Sequence, residues 1–169
     1  MDWILDPLVS VGPLRFGMSP DEVAKVIGPP EDAITAEDQY QDDPYQLALF
    51  TGYAWEHRAH LDPAYPELSY CENKLIEVDI WPDHGPLILD GKSLFKSRRK
   101  DVLRFLFSKG GDVYKNFGAV LFTSLGITLA PPRYAREEPS ITVFAEGAFD
   151  PLIQELGYKK VTSPEQLGV

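Results

Sequence analysis

One stretch constrains the fold more than any other. Residues 68–71 and 74–81 are separated only by Glu72-Asn73, and in the second run Ile76, Val78 and Ile80 alternate with Glu77 and Asp79. A period of two gives a strand one buried and one wet face, and a two-residue connection makes the pair a tight hairpin. The sheet is therefore antiparallel at this point, with its core on one side.

Around this hairpin the helices announce themselves by their ends. In Phe16-Gly17-Met18-Ser19-Pro20-Asp21-Glu22-Val23, Ser19 is the N-cap, Pro20 takes the first helical position and Glu22 completes a capping box. Met18 and Val23 are spaced for a hydrophobic staple. Val23, Val26 and Ile27 form the apolar stripe, and Gly28-Pro29-Pro30 stops the helix, which is expected over 20–27. A second helix is expected over 97–109, where Val102, Leu103, Phe105 and Leu106 recur at helical spacing and Gly110-Gly111 ends the run. Its other face is basic through Arg98, Arg99, Lys100 and Arg104, and the ordinary reading of such a run is a solvated face.

From Glu31 to Pro44 the chain is polar and acidic and reads as a loop; aromatic and β-branched residues return over 45–55. Strands are expected at 119–123, 127–129 and 140–144, with Gly126 and the prolines of 131–139 as breakers. A short helix is expected to begin with Asp150 as N-cap and Pro151 at its first position, and the tail over 158–169 reads as loose. The expected fold is one α+β domain over 1–169: an antiparallel sheet with helices on one face. Each half runs helix then strands, the pattern of a diverged duplication with repeats over 11–81 and 92–144.

Composition narrows the function. The chain has 169 residues and a formal net charge of −10, distributed unevenly: residues 1–90 hold 18 acidic against 4 basic side chains, and residues 91–169 hold 8 against 12. An anionic half repels nucleic acid and anionic lipid and steers basic partners. The first residues carry no basic or long apolar segment, and no later run reaches the length of a membrane span, so the expected compartment is the cytoplasm. The single cysteine, Cys71, has no disulfide partner within the chain; beside Glu72 it is a poor nucleophile and reads as a half-buried strand residue.

No phosphate loop, nucleophile elbow, HExxH helix or paired CxxC is present. His57 and His60, with Glu56 and Asp62 nearby, are the one set that could ligate a metal, but they fall where a strand runs into a loop, and a solvated polar loop is the simpler reading. No enzyme activity and no cofactor is therefore expected. The cluster Glu31, Asp32, Glu37, Asp38, Asp42 and Asp43 is too well hydrated for acid catalysis. Such a run is ordinarily a solvated face, but with Tyr40 and Tyr45 it also has the make-up of a binding surface for a basic partner. The alternative is a small-molecule or enzymatic pocket lined by Trp55, Tyr70 and Trp81, residues that otherwise serve as ordinary core.

The run from Val11 to Val23, ending in Gly28-Pro29-Pro30, resembles the opening of small bacterial immunity proteins that neutralise polymorphic or contact-delivered toxins. Its Gly-Met-Ser-x-x-Glu-Val-x-x-x-x-Gly-x-Pro core is also similar to the helical motif of the superfold of β-lactamase-inhibitor protein and outer-membrane-assembly lipoproteins. These resemblances imply a binder of proteins, with no catalytic residues to carry over. They point to a monomer or weak dimer that occludes the basic cleft of a cognate toxin. The resemblance extends alike to immunity factors of NAD-glycohydrolase toxins and to those of nuclease toxins.

Overall fold

The computed structural model describes residues 1–58, 65–130 and 140–169. The chain opens with β1 (Trp3–Asp6), β2 (Ser10–Val11), β3 (Leu14–Arg15) and α1 (Pro20–Ile27), followed by β4 (Asp32–Thr35), α2 (Ala36–Gln39) and α3 (Pro44–Leu49). Then come β5 (Tyr53–Arg58), β6 (Tyr65–Cys71), β7 (Lys74–Ile80), β8 (Leu87–Leu89) and β9 (Lys92–Ser93). The second half contains α4 (Arg99–Ser108), β10 (Val113–Asn116), β11 (Ala119–Phe122), β12 (Ile127–Leu129), β13 (Ile141–Phe144), α5 (Asp150–Glu155) and β14 (Lys159–Val161), with 3-10 turns at Pro82–His84 and Pro164–Leu167.

The fold is α+β. Among the described residues nine strands form one antiparallel sheet in the order β14-β10-β11-β12-β13-β7-β6-β5-β4. Two meanders, each preceded by a helix, meet where β13 pairs with β7, Val143 opposite Val78. The expected hairpin is its centre: Glu72 and Asn73 take φ of +50° and +59°, the left-handed pair that a two-residue turn demands. A second, five-stranded sheet in the order β3-β2-β1-β8-β9 was not legible in advance. Its β1–β8 pair is parallel, Trp3 opposite Leu87, and joins residues more than eighty apart.

Between the sheets and against α1 and α4 lies the main core, which includes Trp3, Leu14, Val23, Ile27, Leu68, Val78, Leu106, Phe122 and Ile127. Trp3 donates its Nε1 hydrogen to the His84 carbonyl at 3.0 Å. A β-carbon on Gly12, whose φ is +54°, would press on the Trp3 ring at 2.8 Å, so the close approach requires glycine there. The opposite face of the long sheet is not bare. Phe149, at the start of α5, packs on Phe144 of β13 at 4.6 Å, and Leu152 of the same helix is buried.

α1 has the expected bounds. The Glu22 amide donates to Ser19 Oγ at 3.2 Å and the Ser19 amide to Glu22 Oε2 at 2.8 Å, closing the capping box. Val23 and Ile27 are buried, whereas Val26 is exposed and outside the stripe. Ser19→Ala should cost about 1 kcal/mol, read as a lower urea midpoint at unchanged slope; an unchanged midpoint would mean that the cap carries no load.

Three expectations are corrected. Residues 31–44 are not one loop, because they hold β4 and α2 and lead straight into α3. α5 is capped at Phe149, which moves Asp150 and Pro151 inside the helix. The tail over 158–169 is not loose: β14 pairs with β10, Val161 opposite Val113, and Leu167 and Val169 pack on the core. Two lysines on a three-residue edge strand hide its pattern while protecting that edge from further pairing.

Candidate functional site

At the β4 end of the long sheet the acidic residues stand on ordered elements. Asp32 lies on β4, opposite His57 of β5, and Glu31 precedes it with its amide donating to the His57 carbonyl at 2.9 Å. Glu37 and Asp38 lie in α2, and Asp42 and Asp43 lead into α3; all six carboxylates are exposed. Their duties differ. The Thr35 hydroxyl caps α2 by accepting from the Asp38 amide at 3.2 Å and donates to the Asp38 carboxylate at 3.0 Å. Asp43 Oδ1 caps α3 by accepting from the Gln46 amide at 3.1 Å, with Pro44 at the start of the helix. Glu37 and Asp42 make no side-chain hydrogen bond or ion pair among the described residues.

The two tyrosines separate in the same way. Tyr45, at 59% exposure, presents its ring to solvent. Tyr40 does not: it stacks on Phe50 at 5.5 Å and meets Trp55 edge-on at 6.0 Å, in a cluster completed by Tyr53. Tyr40 is half-buried and ties the ends of α2 and α3 to the sheet, as a support beneath the acidic edge.

This cluster borders a polar strip on the same face. Register sets Trp55 opposite Ser69, Ser69 opposite Glu77, Glu67 opposite Asp79, and Asp79 opposite Thr142. His57 Nδ1 is 3.1 Å from Glu67 Oε1. Burial, and next the Asp79 charge, push the Glu77 carboxyl from an ordinary 4.5 up to about 7, against a hydrogen bond from Ser69. Burial also raises Asp79, whose carboxylate accepts a hydrogen bond from Thr142. Sequence reasoning assigned Glu77 and Asp79 to a wet face and missed this strip, because the cross-strand partners that crowd it are set by register.

On the other face of β5 the charges are buried. Arg58, only 1% exposed, gives Nη1 to Glu56 Oε2 at 2.8 Å and Nε to the Gly28 carbonyl at 3.0 Å; the Tyr70 hydroxyl donates to the same Glu56 oxygen at 2.9 Å. Burial, and then Glu56, hold the Tyr70 phenol far above its ordinary range, so it remains a donor. Trp55 and Tyr70 thus lie on opposite faces of the sheet, and Trp81 packs on His84 at 5.6 Å; the three do not line one pocket.

Among the described residues no group of three or more His, Cys, Asp or Glu side chains could hold a metal ion. Of the metal set considered, Glu56 is engaged with Arg58 and His57 with Glu67, while His60 and Asp62 lie outside the described residues. Cys71 is half-buried at the end of β6, its thiol raised by burial and then by Glu72. The basic run of α4 is split: Arg98 and Arg104 reach Asp101 at 2.9 and 3.5 Å, whereas Arg99 turns inward. No described helix is long and apolar enough to cross a membrane. No family model matches the sequence, and the searches of curated proteins and of solved structures returned no significant match.

Proposed function

We propose that the chain is a binding protein that docks its acidic β4–α3 edge on a basic surface of another protein, and that this partner is a toxin inhibited by the contact. One observation carries the reading: Asp32, Glu37, Asp42 and Tyr45 are exposed on a capped edge of a large sheet, with an aromatic cluster beneath them. A rigid anionic edge accelerates encounter with a cationic cleft, and an exposed tyrosine adds contact area at little entropic cost. A nuclease or an NAD glycohydrolase must hold phosphate, so its cleft has the complementary charge.

The test uses two tagged baits in a lysate of the source cells, wild type and Glu37→Lys/Asp42→Lys. These positions are chosen because Asp38 and Asp43 also maintain helix starts, and their loss would confound binding with folding. The expected result is one partner held by the wild type, lost by the variant, and inactive when mixed with an equimolar amount of this protein. A partner held equally by both baits, or one whose activity is untouched, would contradict the proposal.

A second reading, a small-molecule or catalytic domain, is favoured by Glu77 alone. A carboxyl with a pKa of about 7 beside other titratable groups is what acid–base chemistry uses. Thermal stabilisation by a metabolite, lost in Glu77→Gln, would move the assignment there.

A further inference from the structure

The other end of the long sheet has the opposite character. There α4, the β10–β11 hairpin, the end of α5 and the last 3-10 turn enclose a cleft of about 680 Å³. That volume falls within the roughly 300–1,000 Å³ of small-molecule sites. Its walls are apolar where Leu103, Val120 and Leu167 meet. Phe117 stands at the hairpin tip with 95% of its surface exposed, and Leu156 is 42% exposed across the opening. Phe117 has a φ of +44°, a left-handed conformation that costs an L-residue about 1–2 kcal/mol. Neither strain nor exposure of that ring is relieved by anything in the described fold.

Among the described residues no Asp or Glu lines this cleft, although acidic residues outnumber basic ones 26 to 16 in the chain. Three cations do. Arg99 spends its guanidinium on neutral acceptors, the Ala130 carbonyl at 2.9 Å and the Gly118 carbonyl at 2.8 Å, and burial lowers its pKa. Lys115 donates to the Gln166 carbonyl at 2.8 Å. Lys159 makes no side-chain hydrogen bond or ion pair among the described residues. Its neighbour Lys160, outside the cleft, is paired with Asp112 at 2.9 Å. Three positive charges thus converge on an apolar recess with no carboxylate among the described residues to neutralise them. A ligand that brings both an anion and an apolar body satisfies both deficits at once.

We propose that this cleft binds a small amphipathic carboxylate, its apolar body against Leu103, Val120 and Leu167 beneath Phe117 and its head group between Arg99, Lys115 and Lys159. The site lies at the opposite end of the sheet from the acidic edge and does not depend on it. Dodecanoate is a suitable probe, titrated into the isotopically labelled full chain and followed by amide chemical shifts, with dodecan-1-ol as the uncharged control.

Saturable shifts confined to α4, the β10–β11 hairpin and β14 are expected with dodecanoate, and at most weak ones with the alcohol. Lys115→Gln/Lys159→Gln should weaken binding roughly tenfold, since each lost cation removes a charge-assisted contact. Phe117→Asn should weaken it several-fold without lowering the melting temperature, because asparagine accepts the left-handed conformation readily. That variant keeps the test independent of folding. Equal binding of acid and alcohol, shifts elsewhere, or undiminished affinity in the double lysine variant would overturn the proposal. Tighter binding of a short apolar peptide with a free C-terminal carboxylate would overturn it in favour of a polypeptide ligand.

Discussion

Arg58→Met should lower the unfolding free energy by about 3–5 kcal/mol, the usual cost of removing one partner of a buried ion pair. The cause is local. The Glu56 carboxylate, 5% exposed, keeps the Tyr70 hydroxyl but loses the guanidinium hydrogen bond at 2.8 Å, leaving a negative charge in the core without its counterion. The Gly28 carbonyl at the end of α1 loses its donor as well. Glu56→Leu/Arg58→Met should recover most of the loss, because an apolar pair of similar volume is often neutral against a buried salt bridge. Urea unfolding of the wild type, single and double variants checks both statements. A double variant as unstable as the single one would mean that Arg58 acts through packing and the α1 carbonyl alone.

Glu77→Gln should stabilise the protein at pH 8 by about 1–3 kcal/mol, and hardly at all at pH 4. In the folded chain the carboxyl holds its proton up to about pH 7, whereas in the unfolded chain it releases it near 4.5. Between those values the unfolded state binds fewer protons, so stability falls as pH rises, and above about 7 the penalty of a partly desolvated charge beside Asp79 remains. Glutamine removes the charge and keeps an acceptor for Ser69. Urea midpoints at pH 4, 6 and 8 should show the gap between variant and wild type opening across this window. A gap that is constant with pH would contradict the assignment.

What could be read in advance was local. α1 followed from five residues around its N-cap and a glycine at its end, and the 72–73 hairpin from one alternation, because both depend on neighbours in sequence. β4 could not be read that way: on an edge strand that is solvated on both faces the alternation disappears. α2 and α3, at four and six residues, are too short to display a helical period. The signal for α3 was nevertheless present, since Asp43-Pro44 repeats the device of Ser19-Pro20.

The candidate site divides along the same line. That the edge is acidic was legible from composition; that Asp38 and Asp43 also serve helix starts, and that Tyr40 is a support, depended on elements not recognised. Glu56 and Arg58 looked like the polar end of a strand, yet their shared parity with Ala54 places them on the core face, opposite Leu68 and Tyr65 of β6. The crowding of Glu77 by Asp79, and of His57 by Glu67, depends on strand register. The cleft at the β14 end required a tail that read as loose.

The most direct test of the account is the affinity between this protein and its captured partner, measured for wild type and Glu37→Lys/Asp42→Lys at low and at physiological salt. Tight one-to-one binding by the wild type is expected, with an association rate that falls steeply with salt and a variant that binds far more weakly while unfolding at the same urea concentration. An association rate indifferent to salt, with equal affinity for the variant, would contradict it.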